Sequence, residues 1–235
     1  MAQVTAVAEL GFSVIGKVGP VGIRWGRQKF LGKVVLVIGP PDAGKTTFIN
    51  YLCLEQFQRE HYVEETARFE DTRGFDVKMG RDNMLNVSFK KVVDSPGQIG
   101  AVAQAEEVFN RRPHAIIIFT DLTKPAEEDP DGAATWLVKF CNHLEMLWRR
   151  KGSIRSNRTK IIIVAMNKHD KIKDSQILID RKEQLRRILH NELQFALGRM
   201  RREVAILPCT LVTNPEGHEE IDSIITSLVK GLAKW

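Results

Sequence analysis

The chain has 235 residues, 43% of them apolar and 27% charged, the composition of an ordinary globular domain with a sizeable core. Cys53, Cys141 and Cys209 are widely spaced with no CxxC pair, which excludes a cysteine metal template or disulfide framework and makes a reducing, cytoplasmic compartment the default. A formal charge of +6 favours anionic partners such as phosphates, acidic lipid surfaces or nucleic acid.

Residues 1–32 form an N-terminal extension rich in glycine and small apolar residues, and residues 33–235 read as one domain. In the extension Val4, Val7, Ala8, Gly11, Val14, Ile15 and Val18 share one helical face, with Thr5, Glu9, Ser13 and Lys17 opposite. "GIRWGRQKF" follows and sets Trp25 among Arg24, Arg27 and Lys29. Two readings stand level: a basic amphipathic helix at a membrane interface or partner, or a helix packed on its own domain. Glu9, Lys17, Pro20 and four glycines interrupt residues 4–23, so no ordinary membrane span is predicted. The basic residues follow the apolar stretch, unlike a secretory signal. Neither Ala2 nor the ending "GLAKW" encodes a lipid anchor.

From residue 33 onward, short apolar runs alternate with amphipathic stretches. The runs "KVVLVIG" (33–39), "HAIIIFT" (114–120), "KIIIVAMNK" (160–168) and "VAILPCT" (204–210) predict strands buried on both faces of a parallel sheet. "GFDVKMG" (74–80) alternates and pairs with "LNVSFKKVVD" (85–94) as an antiparallel edge hairpin. Helices are predicted at about 44–59, 100–112, 131–150, 174–201 and 216–234, with Asp131, Asp174 and Asn214 near starts and Gly152 at an end. In 174–201, Leu178, Leu185, Leu189, Leu193 and Ala196 make a core face. The alternation predicts a three-layer α/β/α domain with a six-stranded, mostly parallel sheet and one antiparallel edge strand. The basic clusters "RRKGSIRSNRTK" and "GRMRRE" carry no nucleic-acid motif or aromatic platform and read as solvated faces or lipid-headgroup contacts.

"GPPDAGKT" (39–46) fits G-x-x-x-x-G-K-[ST] after a buried strand and before a helix, the context of a phosphate-binding loop. Gly39 permits the sharp turn and Gly44 a close approach of backbone to phosphate. Pro40 and Pro41 lack an N–H, so the cradle falls to Asp42, Ala43, Gly44, Lys45, Thr46 and Thr47. Lys45 would reach the β- and γ-phosphates, and the Thr46 hydroxyl would ligate Mg²⁺. The loop names a nucleoside triphosphate without naming its base.

"NKHD" (167–170) ends the strand "KIIIVAM", where open α/β sheets bind ligands. The Asp170 carboxylate can accept from guanine N1–H and N2–H₂, a donor pair that adenine lacks. Asn167 would hold the pocket together and reach N7, and the stem of Lys168 would lie over the ring. His169 is the variable, solvent-facing residue of the four, and no histidine marks a metal site. "VVDSPGQ" (92–98) supplies Asp94 to hold a water on Mg²⁺, Gly97 to meet the γ-phosphate and Gln98 to orient the attacking water.

In this order the motifs resemble those of the Ras-like small GTPases over about residues 33–234. "TRGFDV" (72–77) resembles switch I of the ADP-ribosylation-factor branch, T-x-G-F-[ND]-V; the beta subunit of the signal-recognition-particle receptor is similar in its membrane-bound logic. The resemblance implies that Thr72, preferred over Thr66, ligates Mg²⁺. "PCTLVTNPEGHEEIDSI" (208–224) resembles the branch's last motif, which implies that the backbone of Cys209, Thr210 and Leu211 meets guanine O6. Two prolines in the phosphate loop and Ile99 after the glutamine depart from the branch pattern. The implied function is a GTP/GDP switch with slow hydrolysis, Mg²⁺, effector, exchange-factor and activating partners, and peripheral membrane contact through residues 1–30. The alternative is a GTP-dependent scaffold that assembles with negligible hydrolysis.

Overall fold

A β-branched run buried on both sides has two sets of alternating side chains to cover, and the sheet is built to do so. The structure, a computed structural model, describes residues 33–54, 70–71, 75–79, 85–96, 99–123, 132–150, 158–172, 175–193, 203–211 and 215–233. The strands are β1 (Lys33–Ile38), β2 (Glu70–Asp71), β3 (Phe75–Met79), β4 (Leu85–Asp94), β5 (Ala115–Asp121), β6 (Ile161–Asn167) and β7 (Glu203–Cys209). The helices are α1 (Lys45–Leu54), α2 (Ala101–Arg111), α3 (Ala133–Arg150), α4 (Ser175–Glu192) and α5 (Pro215–Ala233), with a 3-10 turn at His169–Lys171.

Val35, Val37, Ile117, Phe119, Ile163 and Ala165 face one way, onto Phe48 and Ile49 of α1 and Ile221, Ile224 and Leu228 of α5. Leu36, Ile38, Ile116, Ile118, Ile162 and Val164 face the other way, onto Ala105 and Val108 of α2, Leu137 and Phe140 of α3, and Leu185 and Leu189 of α4. Strand period therefore sorts one sheet into two cores, and helices cover both faces. The leucine face of α4 is buried at Leu185, Leu189 and Leu193, while Ala196 lies outside the described residues.

The sheet runs in the order β2-β4-β1-β5-β6-β7, with β3 also paired to β4. This corrects the expected six-stranded sheet with one antiparallel edge strand. Among the described residues there are seven strands with four parallel pairings (β1 with β4, β1 with β5, β5 with β6, and β6 with β7), while β2 and β3 both run antiparallel to β4. β2 eluded the sequence because two acidic residues carry neither apolar alternation nor β-branching. It forms because the end of β4 offers backbone groups to pair, Glu70 standing opposite Asp94 and Asp71 opposite Val93.

The parallel registers align the strand ends that matter for the site. Val37 lies level with Asp94, Asp121 with Asn167, and Asn167 with Cys209. No described helix is long and apolar enough to cross a membrane. The extension 1–32, the proposed caps Asp131, Asp174 and Asn214, and Gly152 lie outside the described residues.

Candidate functional site

At the carboxyl end of β1 the chain turns through Gly39 at φ +146°, a backbone region that side chains avoid. A Cβ there would stand 2.3 Å from the Phe119 carbonyl oxygen of β5, so glycine is needed for both conformation and space. Asp42 is exposed in the left-handed region (φ 57°), and Gly44 follows at φ +94°. A Cβ on Gly44 would meet Asn167 Nδ2 at 2.4 Å and Leu211 Cδ1 at 2.7 Å. The loop at 39–44 is thus wedged between the ends of β5, β6 and β7.

Lys45, only 5% exposed, opens α1 and donates from Nζ to the Pro40 carbonyl oxygen at 2.7 Å. Its ammonium therefore crosses back over the loop to a residue that has no N–H of its own to offer. Thr46 and Thr47 follow, half-buried, in the first turn of α1, where helix N–H groups have no intrahelical acceptor and favour an anion.

Asn167 ends β6 and ties this loop down. Its Nδ2 donates to the Ala43 carbonyl at 2.8 Å, and its Oδ1 accepts from the Lys168 N–H at 2.8 Å. Lys168 turns the chain through φ 61°, and its Nζ reaches Asp121 Oδ2, at the end of β5, at 2.5 Å. Asp121, 1% exposed, also accepts from the backbone N–H and hydroxyl of Thr123. Burial pushes its carboxyl up, but the bonds from Lys168 and Thr123 outweigh this and hold it below the usual range. His169 is half-buried, a correction to the solvent-facing expectation, because Nε2 pairs with Glu220 Oε1 of α5 at 2.5 Å. Asp170 is exposed on the same turn, its carboxylate open to solvent beside Lys168.

After β7, Cys209 is fully buried, and burial together with the Glu220 charge pushes its thiol well above the ordinary range. It packs as a neutral apolar group and is no nucleophile. Thr210 is 4% exposed and its Oγ1 has no hydrogen-bond partner among the described residues. Leu211 packs against Gly44.

No protein-family model and no curated protein matches this chain in sequence. Among solved structures, the chain is similar to the crystal structure of bacterial selenocysteine-specific elongation factor EF-Sec, with a TM-score of 0.47 and 18% identity. That similarity covers 87% of this chain and 29% of that one, so the chain spans under a third of its length. At this score the likeness carries no weight for the site, which stands on its own geometry: a strand, a glycine-bearing loop and a helix within an α/β sheet, the build of a nucleotide-binding loop.

Among the sequence-predicted residues, the structure brings together Ala43, Gly44, Lys45, Asn167, Lys168 and Leu211 at the carboxyl ends of the parallel strands. The backbone of Asp94 ends β4 level with Val37. Thr72, Thr66, Gly97 and Gln98 lie outside the described residues. No cluster of three acidic, histidine or cysteine ligands exists among the described residues. Mg²⁺ bound with a nucleotide takes most of its ligands from phosphate and water and needs only one or two protein oxygens, so a Thr46 hydroxyl at the phosphate loop fits it.

Sequence reasoning missed Asp121 and Gln104. Asp121 was visible as a carboxylate closing the apolar strand "AIIIFTD". Gln104 was visible as the one polar residue on the buried stripe Ala101, Gln104, Ala105, Val108.

Proposed function

We propose that this chain is a GTP-binding switch that hydrolyses GTP to GDP and phosphate. The observation that carries the reading is the convergence on Gly44: the phosphate loop meets Asn167 of "NKHD" and Leu211 of the last motif at one glycine without a Cβ. The loop proposed to bind phosphates and the turn proposed to read the base are thereby joined through single contacts.

Phosphates would rest on the N–H groups of residues 42–47 and on Lys45 Nζ, whose charge opposes the negative charge gathered on the γ-phosphoryl oxygens. Asp170 accepts from guanine N1–H and N2–H₂, and Lys168, anchored on Asp121, lays its stem along the ring. Thr46, Asp94 and Thr72 would hold Mg²⁺, which when bound neutralises phosphate charge. Gln98 orients the attacking water, and Gly97 and Thr72 respond to the presence of the γ-phosphate, so the loops that carry them present different surfaces to effector, exchange-factor and activating proteins. Residues 1–30 supply a basic amphipathic contact for an anionic membrane.

Competition binding with GTP, GDP and ATP on the full chain tests the reading. GTP should be preferred over ATP by about 10⁴-fold, the discrimination that a hydrogen-bonding site achieves against a ligand lacking its donors. Comparable affinities would overturn the base assignment. Single-turnover phosphate release then separates a hydrolysing switch from a non-hydrolysing scaffold.

A further inference from the structure

Gln104 lies on the α2 stripe otherwise occupied by Ala101, Ala105 and Val108, yet it is a carboxamide with 0% exposure. A buried amide must find acceptors and donors or lose more than it gains by folding there. Gln104 finds them on two separate loops. Its Oε1 accepts from the Gly39 N–H at 3.0 Å and lies 3.4 Å from Ser95 Oγ. Its Nε2 lies 3.1 Å from the Gly39 carbonyl, 3.2 Å from that of Pro96 and 2.9 Å from that of Ile99.

One side chain therefore takes both backbone polar groups of Gly39, as a neighbouring strand would, and also grips Ser95, Pro96 and Ile99. Gly39 is where β1 becomes the proposed phosphate loop, and it has little slack, because even a Cβ there would stand 2.3 Å from the Phe119 carbonyl oxygen. Nε2 carries two hydrogens and faces three carbonyls, so the three acceptors share them. A shift of Pro96 or Ile99 changes what is left for Gly39. The Ile99 N–H also bonds to the Pro96 carbonyl at 3.3 Å, which makes these two residues move as a pair.

We infer that Gln104 is a positioning residue that locks the first residue of the phosphate loop to Pro96 and Ile99, so that the two walls flanking the terminal-phosphate position keep one spacing. The inference rests on the nucleotide reading above and extends it from the residues that touch ligand to one that does not. A diphosphate needs only the cradle at 42–47 and the base turn, whereas a third phosphate needs both walls in register. Removing the carboxamide should therefore weaken a triphosphate selectively.

The test compares full-length wild type with Gln104→Met, which keeps the length and loses the polar head, and with Gln104→Asn, which keeps the head but is one methylene too short to reach both loops. Titrations with GDP and with a non-hydrolysable GTP analogue should show GDP affinity within about twofold of wild type and analogue affinity lower by about tenfold. Hydrogen exchange on the nucleotide-free proteins should show the Gly39 and Ile99 amides accelerated together in both variants, while β6 amides are unchanged. If GDP and the analogue weaken equally, or neither weakens, the inference is overturned and the nucleotide reading stands. A wild type that binds neither nucleotide overturns both. Should Gln104→Met fail to fold, Gln104→Asn decides by the same two measurements.

Discussion

Asn167 Nδ2 donates to the Ala43 carbonyl oxygen at 2.8 Å, joining residues 124 positions apart. The same side chain accepts from the Lys168 N–H through Oδ1, so one carboxamide ties the loop at 39–44 on one side to the turn at 168–171 on the other. Both groups are buried, and a buried carbonyl left without its donor costs about 1–3 kcal/mol. Asn167→Ala should therefore lower the melting temperature by about 2–10 °C in a domain of this size and weaken GTP by at least about tenfold. Thermal melts and isothermal titration check both. Wild-type affinity in the variant would mean that the two motifs are not coupled through this bond.

Gly44→Ala should act on the loop alone. Its Cβ would sit 2.4 Å from Asn167 Nδ2 and 2.7 Å from Leu211 Cδ1 at a φ of +94°, so either the loop or Asn167 must move. Backbone held in such a region costs about 1–3 kcal/mol before any collision is counted. The expected outcome is a folded protein by circular dichroism that has lost tight nucleotide binding. Retained nanomolar or micromolar affinity equal to wild type would show that the phosphates lie elsewhere.

Asp170 is exposed and free to present both carboxylate oxygens to a base. Asp170→Asn replaces one acceptor by an amide donor, which suits the C2 carbonyl of xanthine and repels the N2 amine of guanine. GTP affinity should fall and XTP affinity rise until their order reverses. Parallel competition with GTP, XTP and ATP measures this, and an unchanged order would remove Asp170 from base recognition.

What could be read from the sequence follows from what periodicity reports. The runs of β1, β5 and β6 announced strands because both their faces are buried. β7, expected to be the same, is buried only at Ile206 and Cys209 because it ends the strand order among the described residues, and Leu185 with Leu189 announced the inward face of α4. Gly39 and Gly44 announced a tight strand-to-helix loop through spacing alone, and their left-handed φ values give the spacing its reason. Periodicity names a face, however, and not a partner. Gln104 bonds to Gly39 across 65 positions and Lys168 to Asp121 across 47, and neither pairing has a local trace. β2 was illegible for a different reason: its two residues exist as a strand only because β4 runs on far enough to pair with them.

A buried carboxyl and a half-buried imidazole give the chain opposing pH limits. Asp222 of α5 is buried with Oδ1 unpartnered among the described residues; burial first and the Glu219 charge second push its carboxyl from 3.8 up to about 7. The folded state thus holds a proton that the unfolded chain releases near pH 3.8, so this contribution is full below that pH and is lost as pH rises through about 7. Asp222→Asn, which cannot ionise, should melt higher than wild type at pH 8 and show no such alkaline decline. Equal slopes for the two proteins between pH 5 and 8 would mean that Asp222 is neutralised by a partner.

His114 sets the other limit. Its Nδ1 accepts the Val34 N–H at 3.0 Å, which requires that nitrogen to be unprotonated, at the amino-terminal edge of β1 and β5. Burial first, then the charges of Lys33, Arg158 and Lys160, push its pKa from 6.5 down to about 4. Between those values the unfolded chain binds the proton and the folded chain refuses it, so stability is complete above 6.5 and falls as pH drops toward 4. In wild type this acid limb is opposed by Asp222 over the same window, so the net slope alone decides nothing. The Asp222→Asn background exposes it: the melting temperature should fall steadily from pH 6.5 to 4.5. Adding His114→Asn, whose Oδ1 can replace Nδ1 as the acceptor without titrating, should flatten that fall while leaving the value at pH 7.5 within about 3 °C, the shift for roughly 1 kcal/mol in a domain of this size. If the double variant declines in acid as steeply as the single one, His114 does not set the limit, and the loss belongs to carboxylates elsewhere in the fold.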